Sequence, residues 1–237
     1  MKSLEEYKEG QVLLIDKPLH WTSFQVVNKL RWVIKQHYGI KNIKVGHAGT
    51  LDPLATGLLI LCTGKFTKKI ETYQAQHKEY TGTITLGATT PSYDLETEID
   101  ENFPTEHITE NMIHETTKQF VGEIDQVPPI FSAIKKEGKR LYELAREGKT
   151  TEIKSRKITI SEFEITQIDF PNVHFKVACS KGTYIRSLAF DFGKSLNSGS
   201  YLSALRRTKI GDFNVDNAMS VNEFLQDFGL EELEENK

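Results

Sequence analysis

The sequence predicts an α+β protein built on one long, mixed, mainly antiparallel sheet flanked by helices. Three observations carry this. Stretches that alternate apolar and polar residues, rich in β-branched types, recur along the chain, most clearly at 79–87, 157–170 and 173–180. Segments with helical apolar spacing lie between such stretches, without a strict strand–helix–strand rhythm. Only Pro171 and Asn172 separate two of the strands, and so short a connection forces an antiparallel pair. The 237 residues fit one large domain or two small ones and suffice to bury a sizeable core. A single domain over 1–237 is the expectation.

The elements follow in order. Residues 12–15 read as a short strand, stopped by Lys17 and Pro18. Thr22, with Gln25 three residues on, makes a capping box for a helix carrying Val26, Leu30, Val33 and Ile34, which Gly39 ends. Residues 46–53 form a loop rich in glycine and proline. A buried strand is expected at 58–62, a helix at 66–76 and a strand at 79–87. The polar, acidic stretch 88–104 reads as a loop, 109–120 as a helix and 130–134 as a short strand. A basic helix is expected at 140–147, ended by Gly148. Paired strands at 157–170 and 173–180, a helix at 186–196 and a strand at 201–210 complete the body. Ser220 and Glu223 cap a last helix, and the acidic end, 230–237, is expected to fray.

Composition excludes several classes. The N-terminus has no apolar run after its lysine, so no secretory signal is expected. The longest apolar run, 58–62, is far too short to span a bilayer. Cys62 and Cys179 lie in apolar stretches without a partner at ligand spacing, and read as buried reduced thiols of a cytoplasmic protein. The formal charge of −3 is unevenly spread. Residues 94–110 hold seven acids and no base, whereas 135–157 hold nine bases and four acids. Such a basic stretch suits either phosphates or a solvated helical face.

Two segments concentrate chemistry. The first runs Gly46-His47-Ala48-Gly49-Thr50-Leu51-Asp52-Pro53-Leu54-Ala55-Thr56-Gly57. Its glycines permit unusual backbone or close approach to a ligand, and Pro53 biases Asp52 toward an extended conformation. From the residues alone, Asp52 fits a catalytic carboxylate or an Asx turn. His47 by itself fits a hydrogen-bonding structural role. Gly64-Lys65 lacks the spacing of a phosphate-binding loop. The second segment, Cys179-Ser180-Lys181-Gly182-Thr183-Tyr184-Ile185-Arg186, runs from a strand into a helix. It sets Lys181 and Arg186 near a helix start, where anions are favoured. Capping with surface salt bridges is the alternative, and Arg186 could also orient a carboxylate through a bidentate pair.

The stretch GHAGTLDPLATGLLILCTGKFTK resembles the signature of the TruB-type tRNA pseudouridine synthases. Further motifs agree in order: Asp16-Lys17-Pro18 with Trp21-Thr22-Ser23, then Lys78-Glu79-Tyr80, then Pro128-Pro129-Ile130-Phe131-Ser132-Ala133-Ile134-Lys135 with Gly138-Lys139-Arg140-Leu141-Tyr142. CSKGTYIRSLAFDFG and Tyr201-Leu202-Ser203-Ala204-Leu205-Arg206-Arg207-Thr208 follow. The similarity spans roughly residues 10–220.

The resemblance implies a single catalytic domain that isomerises the T-loop uridine at position 55 of tRNA to pseudouridine, without cofactor or metal. It implies catalytic roles for Asp52, for Tyr80, which would stack on the flipped base, and for Arg186, which would pair with the aspartate. Leu205 would wall the uracil pocket, His47 would contact RNA, and Lys17 and Pro18 would pack behind the loop. Lys135, Lys139 and Arg140 belong to an insertion at about 128–152 that would grip the T-stem and loop, and Lys181 is a further substrate-binding candidate. Many members carry a C-terminal RNA-binding domain for which this sequence leaves no room after its acidic helix. The expected partner is tRNA, with no membrane, no obligatory protein partner and a monomeric state. Three other readings compete. A tRNA-folding chaperone would not need Asp52, Tyr80 and Arg186 together. A guide-RNA particle subunit would carry an added RNA-binding domain or a basic tail. A small-molecule enzyme would carry a nucleotide or metal motif.

Overall fold

The computed structural model describes residues 2–132, 135–136, 139–140 and 153–231, with 135–136 and 139–140 described by their backbone. Helix α1 (Leu4–Glu9) leads to strand β1 (Val12–Lys17), helix α2 (Ser23–His37), β2 (Val45–His47) and β3 (Ala55–Thr63). Helix α3 (Ile70–Ala75), β4 (Lys78–Leu86), β5 (Ala88–Thr89), β6 (Glu101–Asn102), α4 (Glu110–Thr117) and β7 (Gly122–Gln126) follow. Then come β8 (Lys135–Lys136), β9 (Lys139–Arg140), β10 (Arg156–Asp169), β11 (Asn172–Cys179) and α5 (Ile185–Ser195). The last elements are β12 (Ser200–Ile210), β13 (Phe213–Asn214), β14 (Met219–Ser220) and α6 (Val221–Gln226).

Ten strands form one sheet in the order β14-β1-β3-β12-β4-β11-β10-β7, with β2 added to β3 and β13 to β12. The β1–β14 pair is parallel, whereas β1–β3, β2–β3, β10–β11 and β10–β7 are antiparallel. The mixed α+β architecture is the one the sequence predicts. The chain divides into two compact units, Met1–Tyr80 with Arg206–Lys237, and Thr81–Leu205.

In the first unit, β3 is buried on both faces, which explains its unbroken apolar run. Leu59 and Leu61 face Val26, Leu30, Val33 and Ile34 of α2, together with Phe224 and Leu225 of α6. Leu58, Ile60 and Cys62 point the other way, toward Ile210, Val215, Phe66 and Ile70. Thr22 and Gln25 make the expected capping box of α2, and Ser220 with Glu223 that of α6. A third box, Ser3 with Glu6, opens α1, an element absent from the sequence reading.

In the second unit, Phe163 of β10 makes edge contacts with Phe175 of β11 and Phe192 of α5, at ring separations of 5.9 and 5.6 Å. Helix α4 begins after Thr109, whose hydroxyl accepts from the Met112 N–H.

Several expectations are corrected. The helix expected at 66–76 begins as a 3₁₀ segment, Gly64–Lys69, because the Thr67 hydroxyl bonds back to the Gly64 carbonyl and competes with the α ladder. No strand forms over 130–132, where the Ser132 N–H turns back to the Ile130 carbonyl. The strand in this region is β7, whose sequence GEIDQ has a single apolar residue and so gave no periodic signal. Arg140 does not start a helix. It pairs with Lys135 in the β8–β9 hairpin, while 141–147 lie outside the described residues, as does the tail at 232–237. Within the loop expected at 88–104, β5 and β6 pair.

Candidate active site

Strands β2 and β3 are joined by the loop that carries Asp52. The register pairs His47 with Leu61 and Lys17 with Gly57, which fixes where the loop leaves and rejoins the sheet. Every backbone carbonyl from Gly49 to Pro53 has a named partner. Gly49 O accepts from Arg207 Nη2 at 3.1 Å and Thr50 O from Arg207 Nη1 at 3.4 Å. Leu51 is held at both ends by one hydroxyl: Ser23 Oγ donates to its carbonyl (3.1 Å) and accepts from its N–H (2.8 Å). Asp52 O accepts from Ala55 N, and Pro53 O from His20 N and from Lys17 Nζ at 3.4 Å. A loop with its polar backbone thus accounted for is fixed rather than adaptable. It holds the half-buried Asp52 side chain in one place.

Two cations lie beneath this loop. Lys17 is fully buried, and its ammonium also donates to the Pro18 and Trp21 carbonyls at 2.8 and 2.5 Å. Burial pulls its pKa down to about 8, opposed by the attraction of the nearby Asp52 carboxylate. Arg207 is 1% exposed, and its Nε donates to Leu58 O at 2.8 Å. Gly57 lets it in: at φ +101° a Cβ there would stand 2.3 Å from the Arg207 carbonyl oxygen. Its neighbour Arg206 points to the other face of β12, where it makes a two-pronged pair with Asp16 at 3.0 and 2.6 Å. Burial lowers the pKa of His47. Its Nδ1 is buried without a hydrogen-bond partner among the described residues.

Tyr80 is buried on β4, on the same strand face as Lys78. Between them Glu79 points away and accepts from Thr208 Oγ1 (2.8 Å) and Lys209 Nζ (3.3 Å). Lys17, His47, Asp52 and Tyr80 therefore belong to the first unit.

Arg186, Lys181 and Leu205 belong to the second unit. Lys181 is exposed, whereas Arg186 is buried. The amide of Tyr184, at the start of α5, is instead taken by Gln126 of β7, whose Oε1 accepts it at 2.8 Å while Nε2 donates to the Tyr184 carbonyl. Arg186 donates to the carbonyls of Ser92 and Phe131 and makes an ion pair with Asp94. Leu205 is half-buried. The side chains of Lys135, Lys139 and Arg140 lie outside the described residues.

Asp94, Ser23 and Arg207 escaped the sequence reading as site residues. Asp94 sat among seven acids and looked solvated, and only the fold shows that it is 5% exposed. Ser23 and Arg207 lie within motifs the sequence singled out, but nothing in a sequence says that they hold Leu51, Gly49 and Thr50. Among the described residues no cluster of three or more His, Cys, Asp or Glu could hold a metal ion.

The model of the TruB family pseudouridylate synthase N-terminal domain matches residues 35–185, and the chain belongs to that family. It is 70% identical to tRNA pseudouridine synthase B of Flavobacterium johnsoniae, over 93% of this chain and 96% of that one. Identity with tRNA pseudouridine synthase B of Phocaeicola vulgatus is 54%, over 97% of each. Among solved structures, a Cbf5-Nop10-Gar1 complex contains a chain similar to this one, with a TM-score of 0.69 and 30% identity, over 96% of this chain. This chain spans 58% of that longer one.

Proposed function

We propose that this chain converts the T-loop uridine at position 55 of tRNA to pseudouridine, with Asp52 as its catalytic carboxylate. The supporting observation is the clamped loop: the family's aspartate stands on a segment whose carbonyls from Gly49 to Pro53 are all held. Rigid presentation of a reacting group is what an isomerisation without a cofactor requires. The reaction breaks the C1′–N1 bond, turns the base and joins C1′ to C5, with N1 gaining a proton and C5 losing one. Attack on the base, attack on the ribose and removal of a ribose proton all need an ionised carboxylate within reach.

The target base must leave its stack, at a cost of a few kcal/mol. Stacking on Tyr80 returns about 1–3 kcal/mol, and its phenol takes the proton from C5. By the family's motifs, Arg186 is assigned to the reacting carboxylate, Leu205 to the uracil and His47 to the RNA. Lys17 fixes the loop from below. Lys135, Lys139, Arg140 and Lys181 attract phosphates without reading sequence. The enzyme acts as a monomer in the cytoplasm, with no obligatory protein partner. Incubation with an unmodified tRNA transcript, followed by chemical mapping of pseudouridine, tests activity and position together. Modification at the T-loop uridine is expected; an unmodified transcript, or modification only elsewhere, overturns the reading.

A further inference from the structure

We propose that Arg207 is a positioning residue of the isomerisation, acting through the Gly49 and Thr50 carbonyls to set the approach of Asp52. This rests on the functional reading above and adds to it a residue that touches no reacting atom. The guanidinium is 1% exposed and spends its donors on three carbonyls: Leu58 O at 2.8 Å, Gly49 O at 3.1 Å and Thr50 O at 3.4 Å. Leu58 belongs to the sheet, while Gly49 and Thr50 precede Asp52 by three and two residues. One rigid planar group therefore ties the loop to the strand beside it, which no single-nitrogen donor can copy. Two glycines bear on this arrangement in different ways, Gly57 through space and Gly49 through its backbone angle. Gly57 at φ +101° admits the Arg207 backbone, and a Cβ on Gly49, also at φ +101°, would stand 3.6 Å from Nη1. The same charge also lowers the pKa of both Lys17 and His47, so its influence reaches the loop's other polar groups.

The test is Arg207→Lys, which keeps the charge and loses the fork. Single-turnover pseudouridine formation and equilibrium tRNA binding are measured separately, on protein shown to melt cooperatively. A positioning role predicts a rate constant lower by about 100-fold, the scale of a misplacement near 1 Å, with tRNA affinity held within about threefold. Gly49→Ala strains the loop backbone that Arg207 holds, through its φ of +101° and not through a clash with the guanidinium, and decides the matter alone if Arg207→Lys does not fold. It is expected to lower the rate at least about tenfold, again with affinity retained. A rate within about threefold of wild type in the deciding variant overturns the proposal, as does a parallel loss of rate and affinity. A wild-type chain that makes no pseudouridine overturns the functional reading itself, and this inference with it.

Discussion

Arg186 Nε stands 3.5 Å from Asp94 Oδ2, and each side chain is only 6% exposed. Protein groups surround the pair. Arg186 donates to Ser92 O at 3.2 Å and Phe131 O at 2.9 Å, while Asp94 Oδ1 accepts from Ser92 Oγ at 2.6 Å and Glu96 N at 2.9 Å. Removing one partner of a buried ion pair is costly, so Asp94→Ala should lose about 3–5 kcal/mol of stability. Asp94→Asn keeps shape and an acceptor, and should lose less. Both should slow isomerisation, because Arg186 is no longer held. Denaturant unfolding and a turnover assay check this, and a fully active Asp94→Ala would contradict it.

The ammonium of Lys17 gives a pH signature. Its folded pKa of about 8 lies below the ordinary 10.5. Between those values the unfolded chain binds more protons, so this group's contribution to stability rises with pH through that window. Below pH 8 the charged form penalises the folded state in full. Lys17→Met lacks the titration, so the stability of wild type relative to the variant should grow from pH 8 to 10.5. Turnover by wild type should fall as the pH rises through about 8 and the charge near Asp52 is lost. Parallel unfolding curves for the two proteins at pH 7.5, 9 and 10.5 would exclude it.

Gly57 and Gly39 offer a matched comparison. A Cβ at Gly57 would stand 2.3 Å from the Arg207 carbonyl oxygen, whereas one at Gly39, at φ +60°, meets nothing within 4 Å. Gly39→Ala should cost about 1–2 kcal/mol of backbone strain. Gly57→Ala adds about 1–3 kcal/mol of overpacking and should also reduce activity. Equal melting temperatures for the two variants would argue against the packing described for Arg207.

The basic segment is tested by salt. Neutralising Lys135, Lys139 and Arg140 together should weaken tRNA binding and flatten its dependence on salt concentration. Affinity unchanged from low to high salt would remove this segment from the RNA interface.

Much of this architecture is legible from sequence, for stated reasons. Local signals read well: the capping boxes at Thr22 and Ser220, the apolar run of β3 and the antiparallel β10–β11 pair all form as expected. What depends on distant partners does not read. Asp94 is buried against Arg186, 92 residues away. Gly49 and Gly57 look like generic loop glycines until Arg207, some 150 residues on, is set against them. The 3₁₀ start at Gly64–Lys69 turns on one hydroxyl, that of Thr67, which periodicity ignores. The motifs pointed to Asp52 through family resemblance. Its loop's rigidity comes from Lys17, Ser23 and Arg207, on three other elements.

Asp52 is the most direct test of all. Asp52→Asn and Asp52→Ala are compared with wild type on an unmodified tRNA transcript, scoring pseudouridine and binding in parallel. The account predicts no detectable product from either variant, with tRNA affinity largely intact. Multiple turnover by either one would contradict it.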